Sequence, residues 1–209
     1  MKRALRFLLP ASMCASMCVS MCLLAACAAK PSGGGPEDIA LDDPNAPSLY
    51  ELPLSLTAQD GRAFALSDSR GQPVLLSMFY GSCPQACPML ISDIKALEKQ
   101  LDAPTRARVR VILVSLDPVL DTPETLRVLA RKHGVDLTRW TFASAPEADV
   151  RTLAAAMGLK YRRLPDGGFH HSSLITLLDG RGAIVSRIEG LQQPSEELRG
   201  RATKLAARR

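Results

Sequence analysis

Val74-Leu75-Leu76-Ser77-Met78-Phe79-Tyr80 runs without a charge into Gly81-Ser82-Cys83-Pro84-Gln85-Ala86-Cys87-Pro88. A short apolar run stopped by glycine fits a strand buried on both faces. Beyond it Leu90, Ile94, Leu97 and Leu101 recur at helical spacing, so Met89 to Leu101 is expected to be a helix packed on a sheet. Two thiols therefore fall at a strand-to-helix junction. Free amides at a helix start carry partial positive charge, which favours thiolate, the form that attacks disulfides and binds metals. The prolines stiffen the loop and keep the sulfurs near one another, which suits a disulfide or a shared soft ion.

Outward from this stretch the same grammar repeats. Leu52 to Thr57 and Arg62 to Leu66 flank the turn Gln59-Asp60-Gly61 and read as an N-terminal β-hairpin. Arg110 to Ser115 is the next strand. Asp121-Thr122-Pro123-Glu124 opens a helix that should end at His133 before Gly134. Ser144 to Gly158 reads as another helix, with Glu147 three residues after Ser144 as in a capping box. Ser173 to Leu178 and Ala183 to Ile188 form two antiparallel strands, and a last helix starts near Ser195. The order predicts an α/β domain, a central mixed β-sheet with helices on both faces.

The chain has 209 residues, 46% hydrophobic and 22% charged, which excludes a disordered tail and a polytopic membrane protein. Its net charge of +5 owes three cations to Lys2, Arg3 and Arg6; without them 23 basic residues face 21 acidic ones. No dense basic stripe remains, so nucleic-acid binding is set aside. After Arg6 the chain is uncharged to Ala29, and Leu24-Ala25-Ala26-Cys27 places small residues before a cysteine. This looks like a bacterial lipoprotein signal over residues 1–26, implying cleavage and a lipid anchor on Cys27. An uncleaved apolar anchor of 23 residues is the alternative, and either leaves the rest outside the cytoplasm, facing the periplasm. Residues 27–47 hold three glycines, four prolines and four acids between 31 and 47, the composition of a flexible linker with a reach of roughly 20–25 Å. The folded domain is expected over 48–209.

Six cysteines reduce to one usable pair. Cys14, Cys18 and Cys22 lie in the segment expected to be removed, in a Ser-Met-Cys repeat, and Cys27 is committed to lipid. A static crosslink between Cys83 and Cys87 would close too short a loop to stabilise the domain much, which favours chemistry over stapling. Two thiolates and an imidazole make a site suited to copper(I), and with further donors to copper(II). Of three histidines, His133 sits at a helix end where a cation meets unpaired carbonyls. His170 and His171 follow the turn Pro165-Asp166-Gly167-Gly168, and alternation keeps both from pointing at one place.

Together these elements resemble the Sco/SenC family of thioredoxin-like proteins, which deliver copper to the dinuclear centre of cytochrome c oxidase subunit II. Cys83-Pro84-Gln85-Ala86-Cys87-Pro88 looks like its Cys-Pro-x-x-Cys-Pro, and Asp117-Pro118-Val119-Leu120-Asp121-Thr122-Pro123 like its Asp-Pro-x-x-Asp-Thr-Pro. A His-Ser pair follows late in the chain. The resemblance implies a thioredoxin-like fold and a copper site of Cys83, Cys87 and His171. It also implies a redox-active Cys83–Cys87 disulfide, a copper donor in the periplasm and a membrane-tethered metallochaperone rather than an enzyme. Family register selects His171 over His170, counting back from Leu177 and Gly182. Asp117 is expected beside the site or on a docking surface, and Asp121 as a helix cap.

The chain departs from the family at Gly180-Arg181-Gly182, where Pro-Asp-Gly is usual, a change expected to stay within the turn. It also has Tyr80-Gly81-Ser82 for Tyr-Thr-x, expected to loosen the loop. Two competing functions use the same cysteines: a thiol–disulfide oxidoreductase that keeps the acceptor reduced, and a redox sensor. Three residues between the cysteines, where thioredoxins have two, favour copper. A peroxiredoxin pattern fails because Leu76 and Tyr80 stand where proline and threonine are needed. Hydrolytic zinc is disfavoured because no general base accompanies the ligands.

Overall fold

The uncharged run becomes β3 (Val74–Phe79), and all six of its residues are buried. The structure, a computed structural model, describes residues 43–208. The signal-like segment, Cys27 and the linker to Asp42 lie outside the described residues. β3 pairs in parallel with β4 (Arg110–Ser115), and β4 in parallel with β5 (Trp140–Ser144). Between β3 and β4 the chain forms α1 (Ala86–Gln100) and the short α2 (Ala103–Arg108); α3 (Pro123–His133) joins β4 to β5.

The sheet is completed by antiparallel edges. The hairpin β1 (Leu56–Ala58) and β2 (Ala63–Phe64) joins beyond β5, and β8 (Leu174–Leu178) and β9 (Ile184–Glu189) join beyond β3. The order is β2-β1-β5-β4-β3-β8-β9. Both faces of β3 and β8 are buried, so both faces of the sheet are covered. α4 (Glu147–Met157) follows β5, and α5 (Glu196–Ala207) packs on β9 and α2. β6 (Tyr161–Arg163) and β7 (Phe169–His171) form a separate two-stranded sheet.

Several sequence expectations shift. β5 is a third parallel strand that its polar Thr138-Arg139-Trp140-Thr141 approach concealed. It owes its place to a buried contact: Glu98 of α1 accepts from Trp140 Nε1 at 2.8 Å and pairs with Arg139. Ser144 does not cap α4; it closes β5 opposite Thr57, and α4 begins after Pro146 without a side-chain cap. Asp121 does not cap α3 either, since Thr122 accepts from the Thr125 amide there. At the other end of α3 Gly134 is left-handed, and Lys95 Nζ, not the His133 ring, meets the His133 carbonyl at 2.5 Å. Burial and the charges of Lys132 and Lys95 lower the His133 pKa, so it is a poor cation for that task.

The Gly180 change reaches beyond its turn. Gly180 accepts from the Gly71 amide at 2.8 Å, and a Cβ there would stand 3.0 Å from Gly71 Cα. Gly182 has φ +87° and lies under the Tyr50 ring. These close approaches tie the β8–β9 turn to the segment before β3.

Candidate functional site

β3 and β4 end side by side, Phe79 opposite Ser115. α1 starts at Ala86, three residues earlier than its apolar spacing indicated, because Pro88 falls in the first turn where an amide has no intrahelical acceptor. Cys87 is therefore a helix residue, 3% exposed, and Cys83 sits in the preceding loop at 8%. The chain enters the domain at the other pole: Ser48 bridges Ala183, beside the strand end where Leu178 faces Val74. The thiols thus lie across the sheet from the point where the linker arrives.

Both cysteines are free thiols in this structure, the reduced form of the pair. The Cys87 amide donates to Cys83 Sγ at 3.3 Å, and the Tyr80 amide donates to Cys87 Sγ at 3.5 Å. Burial opposes ionisation of Cys83, but hydrogen bonds from the Cys87 amide and thiol, the Gln85 amide and the Tyr80 hydroxyl outweigh it and lower its pKa. Burial raises the pKa of Cys87, and the neighbouring charges of Cys83 and Asp121 raise it further, against the Tyr80 amide. The hydrogen bonds favour the thiolate at Cys83 while burial disfavours it at Cys87, so the two thiols are not equivalent.

Asp121 explains the Gly81 departure. Its Oδ2 accepts from the Gly81 amide at 2.8 Å and from the Ser115 hydroxyl, and Ser115 Oγ in turn accepts from the Asp117 amide at 2.9 Å. A Cβ on Gly81 would overlap Asp121 Oδ1. Glycine therefore lets the loop lie against a buried carboxylate, and the expected loosening is replaced by a clamp. Gly81→Ala is expected to cost about 2 kcal/mol in urea unfolding, the range for forced overpacking. In an Asp121→Ala background the same change should cost less than about 0.5 kcal/mol, because the colliding oxygen is gone.

Asp117 is 1% exposed, so its carboxylate offers no docking surface. It faces inward: Oδ1 accepts from Arg163 Nη2 at 3.1 Å, while Oδ2 is buried without a partner. His170 and His171 lie on β7 rather than in a loop entering β8, and alternation separates them. His170 is exposed, and His171 is half-buried with its ring edge-on to Tyr80 at 5.8 Å. Burial lowers the His171 pKa. Its Nδ1, 3.0 Å from the Ser172 carbonyl, can donate there in the neutral form, which leaves the Nε2 lone pair for a metal.

The structure brings Cys83 and Cys87 together and sets His171 beyond Tyr80. Among the described residues, no three His, Cys, Asp or Glu side chains form a ready metal cluster. Tyr80 links the two parts: its ring packs on Phe169 at 5.3 Å and on His171, and its hydroxyl reaches Cys83 and the Phe169 backbone. In the sequence Tyr80 reads as the end of a strand and the first residue of Tyr80-Gly81-Ser82, with no sign of its contacts to β7. Arg163 gave no local signal, since its partner lies 46 residues away.

The sequence pattern of the SCO1/SenC family matches residues 42–206. A Stutzerimonas stutzeri protein whose name provisionally assigns it copper binding is 30% identical over 185 residues, covering 82% of this chain and 89% of its own. The SCO1 homologue of Bacillus subtilis is 25% identical over 150 residues, 70% of this chain and 77% of its own. Bradyrhizobium japonicum ScoI, solved with copper bound, superposes with a TM-score of 0.63 at 25% identity, over 74% of this chain and 98% of that one. The thioredoxin-like arrangement seen here is the fold these relatives share, and the chain belongs to the SCO1/SenC family.

Proposed function

We propose that this chain is a copper metallochaperone of the bacterial cell envelope. A lipid on Cys27 tethers it, a periplasmic donor loads it, and it delivers copper to the dinuclear centre of cytochrome c oxidase subunit II. The observation that carries the reading is the free Cys83–Cys87 pair at the mouth of the sheet, with a neutral imidazole one aromatic ring away. Copper is cargo: Cys83 and Cys87 would hold it as thiolates and His171 through Nε2, once β7 closes toward the loop. Soft thiolates hold copper(I) firmly, and a three-donor site leaves room for an acceptor cysteine to enter. The names of the Stutzerimonas and Bradyrhizobium relatives support copper as the metal.

Val119 and Leu120, 74% and 57% exposed, present apolar surface on the segment between Asp117 and Asp121, the residue that holds Gly81 of the thiol loop. A protein acceptor would cover them. The thiols face away from the end where the linker enters, which suits an acceptor domain standing off the membrane.

His171→Ala should weaken copper(I) binding about tenfold to a hundredfold, less than the loss of a thiolate because imidazole is the less soft donor for copper(I) and weighs closer to the groups that surround a metal site, and His170→Ala less than threefold. Competition with a chromophoric chelator measures both. Equal losses from the two variants would contradict His171 as the ligand.

The asymmetry of the two thiols favours a second reading, a thiol–disulfide reductase acting on the acceptor. Cys83 thiolate would attack an acceptor disulfide, and Cys87 would then displace the mixed disulfide. The products are the Cys83–Cys87 disulfide and two acceptor thiols. Both readings use the same free dithiol, and only the first requires His171.

A further inference from the structure

The hairpin that carries His171 shares no ladder with the seven-stranded sheet. Its position over the thiol loop therefore rests on side chains. One attachment is Tyr80, packed on Phe169 and His171. Phe169 and Tyr161 also pack on the core, and Arg163 of β6 crosses to the end of β4 and donates to Asp117 at 3.1 Å. The same guanidinium lies over the Phe169 ring, 5.1 Å from its centroid, and Arg163 faces Phe169 across the hairpin while Tyr161 faces His171. The Arg163 side chain is 55% exposed, and the carboxylate it bonds is 1% exposed.

We infer that Arg163 is a positioning residue for His171: its pairing with Asp117 latches the β6–β7 hairpin over the cysteines and so sets how tightly the third ligand is engaged. The inference rests on the copper reading above for its functional meaning. An ordinary surface ion pair contributes little, but this one reaches a buried carboxylate whose second oxygen has no partner. Without Arg163 that carboxylate keeps only the Leu120 amide at 3.4 Å. The Phe169 ring also loses its cation, and the hairpin is left with the Tyr80 contacts and the apolar packing of Phe169 and Tyr161. A looser hairpin makes ordering His171 at the metal more costly in entropy. Lysine reaches one oxygen with one donor but lacks the planar fork that serves carboxylate and ring together.

The test has two independent arms. In copper(I) competition Arg163→Ala should weaken binding about tenfold and Arg163→Lys about threefold or less. In a His171→Ala background Arg163→Ala should have no further effect, since it acts through that imidazole. An unchanged affinity, or a full loss on top of His171→Ala, would overturn the latch. The second arm needs no copper: hydrogen exchange of the apo protein should quicken across 161–171 in Arg163→Ala and stay unchanged in β3 and β4. Uniform exchange, or quickening throughout the domain, would also overturn it. A wild type that binds no copper would defeat the functional reading, and the exchange arm would still decide the latch.

Discussion

Cys83→Ser is expected to lower copper(I) affinity roughly a hundredfold to a thousandfold, with Cys87→Ser doing the same. The magnitude follows from structural metal sites, whose apparent binding free energies divide to about 2.5–4 kcal/mol per ligand, a factor of about a hundred to a thousand. The two variants should differ in another respect. Cys83 has the lowered pKa and Cys87 the raised one, so iodoacetamide near neutral pH should react first with Cys83 in the wild type. Serine at 87 leaves the Cys87 backbone amide to Cys83 in place and should keep most of that reactivity. Equal alkylation rates at the two positions would mean that the hydrogen bonds around Cys83 do not govern its ionisation.

The second large effect lies far from copper. Glu98 is 5% exposed on α1, accepts from Trp140 Nε1 at 2.8 Å and pairs with Arg139, which also reaches Asp136 at 3.0 Å and the Arg106 carbonyl at 3.2 Å. It staples the helix that carries Cys87 to the outer parallel strand. Glu98→Ala leaves the buried Trp140 indole N–H without its acceptor and the Arg139 guanidinium with only Asp136 and the Arg106 carbonyl, a loss of about 3 kcal/mol. In a domain of this size that is a fall of about 9 °C in Tm. Glu98→Gln keeps an acceptor for Trp140 and should lose about half as much. A Tm for Glu98→Ala within about 2 °C of wild type would show that solvent satisfies the pair without Glu98.

β3 and the thiol loop were legible because their signals are local: an unbroken apolar run, a glycine stop, and cysteines spaced around prolines. β4 was legible for the same reason, and α3 carried its own proline and its own terminating glycine. What escaped depends on partners distant in sequence. β5 reads as a polar stretch until Glu98 is seen to satisfy Trp140 from 42 residues away. Asp121 and Thr122 compete for one cap, and sequence does not reveal that the Gly81 amide claims Asp121 while Thr122 takes the helix. β6 is three residues long with two arginines, so its pairing with the histidine strand had no periodic signature. The alternation rule nevertheless separated His170 from His171 correctly, and the structure turns the second toward Tyr80 and leaves the first exposed.

The most direct test of the account is a copper(I) titration of reduced, oxygen-free protein against a competing chelator, with copper counted per chain. The account predicts one tightly held copper per chain, bound in the wild type and lost in Cys83→Ser. A reduced wild type that holds no copper in competition, while its Cys83–Cys87 pair oxidises and is reduced again readily, would contradict the metallochaperone and leave the thiol–disulfide reductase in its place.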